Sequence, residues 1–510
     1  MFVSSGSTVI HPAGGEWGEI EAEGFLHVEV VLKMRSGGVQ NERNEAGGIM
    51  KRPLRVMMAT AAALIAAGCA HYPINEPLKE YKPDYGYRPL QTTRSSDTGH
   101  LIMMLCFSGG GTRAAALSYG VLEELARTEI IVDGKRRRLL DEVGMISGVS
   151  GGSFTAAYYG LFGDRIFRDF EGKFLKKDVQ SDLFRATFYN PINWMRLASG
   201  YFDRSDLAAE YYDENIFEKK TFANFSTMKG PLVVINATDM TYGIRMQFTQ
   251  DFFDVLCSDL STFSVGRACA ASSAVPGVFS AITLRNYAGT CGYDAQGELN
   301  KRLAGHELSD RASFLARNIR PFLDSKKKPY IHLVDGGVAD NLGLRAVLDK
   351  LIVRGSLWNT IRDTKIEGMH KLAFVIVNAE TEADTTWDTQ DFIPTVAAML
   401  SSYSTIAIER YNVETISLLK EQLRYWVDEV RQERCRGRAM STEPGACGDF
   451  SYYIIEVKFD EERDEKRRSY FKKLPTSFRL TAEEVDNLRS VAQRLLTESK
   501  EYQRLLKDLK

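Results

Sequence analysis

The sequence predicts an α/β protein built on a mostly parallel sheet. Two observations carry this: short apolar runs rich in Val and Ile recur along the chain, and two of them end in glycine turns that open into helically spaced apolar positions. Composition agrees with a folded chain, at 44% hydrophobic and 26% charged residues over 510 positions. The 65 Lys and Arg nearly balance the 67 Asp and Glu, which removes the electrostatic case for a nucleic-acid partner.

The first informative segment is N-terminal. Met50-Lys51-Arg52-Pro53-Leu54-Arg55 sets three positive charges before the apolar run 56–67. That run is too short to span a bilayer as a helix and is closed by small residues, as in a secretory signal. Ala66-Ala67-Gly68-Cys69 resembles a bacterial lipobox. Residues 50–68 are therefore expected to be removed on export, leaving a lipidated Cys69 at the head of the mature chain; the alternative is a plain signal with an incidental Cys69. Acyl chains at about 0.8 kcal/mol per buried methylene would hold the protein on a membrane. Ala70, where an Asp would favour retention at an inner membrane, points to the periplasmic face of an outer one. Residues 1–49 bring Glu16, Glu19, Glu21, Glu23 and Glu29 ahead of the signal. They are expected to lie upstream of the true start or to form a disordered extension.

From Ala70 to His100 the chain is polar, with Pro73, Pro77, Pro83 and Pro89, and residues 69–100 read as a lipidated, extended tether. Leu101–Phe107 is then a continuous apolar strand that ends in Ser108-Gly109-Gly110-Gly111, after which Leu117, Val121 and Leu125 recur at helical spacing. The unit repeats at Val143–Ile146, with Gly148-Val149-Ser150-Gly151-Gly152 as its turn. Further strands are expected at Leu232–Ala237, Tyr330–Val334, Leu372–Asn378 and Tyr452–Phe459, with a helical stretch over 395–430. Thr481 and Glu484 form a capping box, and Val485, Leu488, Ala492, Leu495 and Tyr502 line one face of the helix that follows.

The seven cysteines stand at 69, 106, 257, 269, 291, 435 and 447 with no C-x-x-C pair, so no metal site is expected. Cys435 and Cys447 close a short loop rich in Arg, Gly, Ser and Pro, which an oxidising compartment would staple. Cys257 with Cys291 is a second candidate pair, and Cys106 reads as a small core residue.

Three short segments carry chemistry. Gly148-x-Ser150-x-Gly152 has the form of a nucleophile elbow, a strained strand-to-helix turn that pushes the serine hydroxyl outward while glycines relieve crowding. Gly109-Gly110-Gly111-Thr112-Arg113 offers backbone N–H groups that can converge on an oxyanion. It lacks the Gly-Lys-Ser/Thr of a phosphate-binding loop, and Ala114 stands where a dinucleotide fingerprint wants glycine. Asp335-Gly336-Gly337 follows a strand directly and would set a carboxylate at the same sheet edge.

In this order, each at a strand end, the three segments resemble the patatin-like phospholipases, and Ala271-Ser272-Ser273-Ala274-Val275-Pro276-Gly277-Val278-Phe279 is similar to a further family segment, read as packing near the site. The resemblance covers residues 101–350 and leaves 351–510 as a C-terminal α+β extension. It implies a three-layer fold and a cofactor-free serine acyl hydrolase acting on membrane-lipid or other fatty-acyl esters. Asp335 would take the proton of Ser150 without a histidine. Gly109, Gly110 and Gly111 would hold the oxyanion, and Gly148, Gly152, Gly336 and Gly337 would shape the turns. Arg113 would orient the glycine loop or meet a lipid phosphate, unless it is a surface arginine. Two rivals remain at this stage. One is a Ser-His-Asp hydrolase using His370; the other is an inactive lipid- or protein-binding scaffold. His370 and His332 read more simply as structural.

Overall fold

Leu101, Met103, Leu105 and Phe107 join one apolar core, while Ile102 and Cys106 join a second on the opposite side of the same strand. A strand that is apolar on both faces of its pleat has to be covered by helices on both, and this alternation sets the architecture. In the computed structural model the described residues run from 70 to 509, apart from 89–99, 133, 228–229, 305–308, 383–384, 390, 392 and 394. The extension, the signal segment and Cys69 lie outside them.

The strands among the described residues are β1 (Leu101–Phe107), β2 (Glu129–Val132), β3 (Lys135–Arg138), β4 (Val143–Val149), β5 (Leu232–Asp239), β6 (Ile244–Gln247), β7 (Ile282–Arg285), β8 (Tyr330–Val334), β9 (Lys371–Asn378) and β10 (Ser451–Lys458). The main sheet runs β10-β9-β1-β4-β5-β8-β7, with β6 beside β5; β2 and β3 form a separate hairpin. From β10 to β5 every pairing is parallel. Helix α1 (Gly111–Arg127) follows β1 and α2 (Gly151–Phe162) follows β4. Both cover one face together with Val265–Ser272 and Ala482–Glu498. The other face is covered by Arg345–Arg354, Leu357–Asp363 and the long helix Val396–Arg434. The sheet is thus the middle of three layers. The connections change face at β1, and the crevice at the carboxyl ends of strands around such a switch is where ligands bind in open α/β sheets.

Two expectations are filled in and two are corrected. The C-terminal extension is present and enters the central sheet: β9 lies directly against β1, in register from Leu101 with Lys371 to Phe107 with Val377, and β10 lies against β9. Within the mostly parallel sheet, strand β8 runs antiparallel to β5. Residues 70–88 are not a free tether but a strap on the body. The Leu78 amide donates to the Cys257 carbonyl at 2.7 Å, Arg88 pairs with Asp254 at 2.7 Å, and the buried Tyr87 hydroxyl bonds both polar backbone groups of Val233. Finally, the capping box at Thr481 and Glu484 is present, but the helix ends at Glu498. Ser499 starts a new one over Lys500–Asp508, its hydroxyl accepting from the Tyr502 amide, so Tyr502 sits on the second helix.

Cys435 is bonded to Cys447 and Cys257 to Cys291, while Cys106 and Cys269 are buried thiols. No helix among the described residues is long and apolar enough to cross a membrane.

Candidate active site

The parallel register brings Phe107 level with Gly148 and Val149 level with Asn236, so the turns after β1 and β4 emerge side by side. Ser150 holds φ at +48° between β4 and α2, a conformation that costs a non-glycine residue on the order of 1–3 kcal/mol and persists only when its surroundings enforce it. Those surroundings are specific. The Ser150 amide donates to Ser272 Oγ at 2.8 Å, Ser272 Oγ donates to the Asn236 carbonyl at 2.6 Å, and the Ser150 carbonyl accepts from the Ser153 amide and hydroxyl. Gly148 and Gly152 are needed for close approach: a Cβ on the first would lie 2.7 Å from Ser153 Cα, and on the second 2.7 Å from the Phe107 carbonyl oxygen.

Because β8 enters antiparallel to β5, Asp335 arrives at the same edge from the opposite direction. Its backbone is fixed on three sides. The Asp335 amide donates to the Ala274 carbonyl, its carbonyl accepts from Thr238 Oγ1 at 2.9 Å, and the next amide, of Gly336, donates to the Ser272 carbonyl. A Cβ on Gly336 would lie 2.3 Å from the Asn236 carbonyl oxygen. The Asp335 carboxylate accepts the Gly337 amide at 2.7 Å, and the Ser150 side chain stands near enough to lower its pKa slightly. Burial outweighs both influences and pushes its pKa up to about 6. Ser150 and Asp335 are 5% and 8% exposed.

The three glycines after β1 divide their roles. The Gly109 amide is already given to the Asn341 carbonyl at 3.0 Å, which corrects its assignment as an oxyanion donor. The amides of Gly110 and Gly111 donate to no acceptor among the described residues. Gly110, at φ +134°, turns the chain so that α1 begins here with its positive end toward the serine. The loop touches the elbow directly: a Cβ on Gly151 would lie 1.9 Å from the Gly111 carbonyl oxygen.

Residues 105–348 match the model of the patatin-like phospholipase family. The chain carries a patatin-like phospholipase domain. No curated protein matches the chain in sequence. Among solved structures, human GIVD cytosolic phospholipase A2 aligns with a TM-score of 0.41 at 13% identity, over 88% of this chain. This chain spans 66% of that protein's length. The same enzyme in complex with methyl gamma-linolenyl fluorophosphonate gives 0.39 at 12% identity, over 88% of this chain and 64% of that one. VipD from Legionella pneumophila gives 0.30 at 11%, over 86% of this chain and 71% of that one.

The patatin-like domain does not build its site alone. Ser477 packs against Gly111 and its carbonyl accepts the Thr112 amide at 2.9 Å, so the far C-terminal region braces the glycine loop. Arg113 is neither a surface arginine nor a phosphate ligand. It is buried, and its guanidinium donates to the Ala379 and Leu474 carbonyls and to Thr476 Oγ1. That ties α1 to the end of β9 and to the C-terminal segment; burial lowers its pKa to about 10. The Ser-His-Asp alternative is overturned by position. His370 lies at the amino end of β9 and bonds the Asp449 carbonyl; the eight residues of β9 hold it roughly 25 Å from the serine edge at about 3.3 Å per residue. His332 bonds Thr283 on β7. Sequence reasoning missed Asn341 and gave Ser272 only a packing role. Ser272 lies in the run 271–279 already singled out, whereas Asn341 lies four residues beyond Asp335-Gly336-Gly337, and that closeness to Asp335 was the available signal.

Proposed function

We propose that the protein is a serine acyl hydrolase that cleaves fatty-acyl esters of membrane lipids through a Ser150–Asp335 dyad. The observation that carries the reading is a strained serine at a strand-helix elbow beside a buried aspartate, both positioned through Ser272, with no described histidine bonded to either. The patatin-like phospholipase domain over residues 105–348 supports lipid acyl hydrolysis as the chemistry.

In the acylation half, the Asp335 carboxylate takes the Ser150 proton as Oγ attacks the ester carbonyl. The new oxyanion meets the free amides of Gly110 and Gly111 at the start of α1; one such donor is typically worth about 3 kcal/mol in the transition state. Collapse expels the alcohol, which takes the proton from Asp335, and leaves a fatty acyl group on Ser150. In the second half Asp335 deprotonates a water that attacks the acyl-enzyme; collapse breaks the bond to Ser150 Oγ, which takes the proton back from Asp335, and the fatty acid leaves. Fatty-acid release from mixed phospholipids and p-nitrophenyl esters tests this. Ser150→Ala and Asp335→Asn should each lower turnover by about 10³-fold or more, while His370→Ala retains it. A folded wild type that turns over no ester would transfer the case to a binding scaffold.

We also propose that the chain is exported and held on a membrane by lipid on Cys69, at the periplasmic face of an outer membrane. The signal-like segment 50–68 and two disulfides support an oxidising compartment. Metabolic incorporation of labelled palmitate, abolished by Cys69→Ser, is the expected result.

A further inference from the structure

Helices α3 (Val179–Phe188) and α4 (Pro191–Leu197) form a short hairpin whose outer face is unusual for a soluble surface. Phe184, Phe188, Tyr189, Ile192, Trp194 and Tyr201 are each between 54% and 75% exposed. They form a group, not a scatter. The Phe184 and Phe188 rings are 4.6 Å apart, Tyr189 is 6.3 Å from Phe184, and Trp194 Nε1 donates to the Phe188 carbonyl at 3.0 Å. Clustered exposed apolar side chains mark an interaction surface.

We propose that this face is a lipid-surface docking site that seats the mouth of Ser150 against a membrane. The proposal rests on the acyl-hydrolase reading above and adds where the lipid surface meets the protein. Three observations point to lipid as the occupant. First, the hairpin spans the two walls of the site. At its start the Gln180 amide donates to the carbonyl of Phe478, next to the Ser477 that braces Gly111. Just beyond its end Ser205 Oγ donates to the Ser280 carbonyl at 2.6 Å, at the close of the 271–279 segment that holds Ser150 and Asp335.

Second, the chain arrives from Cys69 at this same face. Ser199 Oγ donates to the Ala70 carbonyl at 2.6 Å, the Tyr72 amide donates to the Tyr201 carbonyl at 2.7 Å, and the His71 ring stacks on Tyr201. Ala70 follows Cys69 directly, so a lipid carried there would start beside the exposed aromatics. Third, the residue types suit a bilayer boundary, where Trp and Tyr set an apolar body in the acyl region and a polar edge in the headgroups. The cations here are already paired, Lys176 with Glu171 and Asp486, Arg185 with Asp182 and Arg196 with Glu210, so the aromatic and apolar side chains carry the affinity.

The test uses the full chain carrying Cys69→Ser, which removes the anchor, and vesicles of phosphatidylcholine with and without phosphatidylglycerol. The protein should co-sediment with both kinds of vesicle and show a blue-shifted tryptophan emission that Trp194→Phe abolishes. Tyr189→Ser/Ile192→Ser should lower partitioning and hydrolysis of vesicle lipid by about tenfold or more, leave turnover of a soluble short-chain p-nitrophenyl ester unchanged, and keep the fold. Tyr425→Ser, which removes a 66% exposed aromatic on the helix over 396–434, should alter neither. Vesicle binding that the double variant leaves intact, or absence of binding by the parent to either vesicle, overturns the proposal. A dimer that the double variant dissociates, without vesicle binding, assigns the face to a second copy instead. Ser150→Ala separates this from the chemistry: it should bind vesicles like its parent and hydrolyse nothing.

Discussion

Ser150 and Asp335 are costly residues, and the cost is informative. The serine keeps a left-handed backbone because Ser272 Oγ links its amide to the Asn236 carbonyl of the neighbouring strand. Removing that hydroxyl leaves two buried backbone groups unpaired. Ser272→Ala is therefore expected to lose about 1–3 kcal/mol of stability and to lower kcat on soluble esters more than KM, measured by urea unfolding and steady-state kinetics. The aspartate is held up to about 6 by burial, and only its carboxylate can take the serine proton. Turnover should therefore rise with pH through about 6 and level above it. Stability runs the other way. A carboxyl whose folded pKa lies above its unfolded value binds protons more readily when folded, so its contribution is complete in acid and is lost as pH climbs from about 4 through about 6. Asp335→Asn should thus unfold at higher urea than the wild type at pH 8, by on the order of 1–3 kcal/mol, with the advantage fading by pH 4. An Asn variant no more stable at pH 8 would mean that Asp335 is better solvated than its burial indicates.

At the scale of elements, the site depends on contacts between segments far apart in the chain. Arg113 in α1 reaches the end of β9 and residues 474–476, and Ser477 sits on Gly111. A chain cut after 350 would keep Ser150 and Asp335 yet lose the strand beside β1, exposing Leu101–Phe107 as an apolar edge. It is expected to be insoluble. In the full chain, Arg113→Met should cost on the order of 3 kcal/mol, because the Ala379 and Leu474 carbonyls are left without their donor; thermal unfolding measures it. These dependencies mark the limit of what could be read in advance. The β1 and β4 turns were legible because strand, glycine turn and helix are consecutive residues, and Asp335 was legible because it abuts an apolar run. The antiparallel entry of β8, the place of β9 beside β1 and the burial of Arg113 were not, since each is decided by a partner in a different part of the sequence. Gly109 illustrates the same boundary: its position in the loop was evident, but its bond to Asn341 is a tertiary fact.

At the scale of the whole molecule, the strap over 70–88 and the two disulfides decide how rigidly the body is joined to the segment that leads to Cys69. Proline and tyrosine content suggested a loose tether, but Asn75, Leu78, Tyr81, Tyr87 and Arg88 each bond to the body. The disulfides are not equivalent in this respect. Cys257–Cys291 closes a separation of 34 residues and Cys435–Cys447 one of 12; chain entropy alone assigns them about 4 and about 3 kcal/mol respectively. The first also holds the strap, because the Leu78 and Tyr81 amides donate to the carbonyls of Cys257 and Cys291. Cys257→Ser/Cys291→Ser is therefore expected to be the less stable double variant in urea, and the one in which limited proteolysis cuts within 70–88 before the body unfolds. Cys435→Ser/Cys447→Ser should lose stability without that early cut, since it leaves the strap's bonds to Cys257 and Cys291 in place. Equal protection of 70–88 in both variants would place the strap's stability in its own hydrogen bonds, chiefly those of buried Tyr87 with Val233, and make the disulfide a passive neighbour.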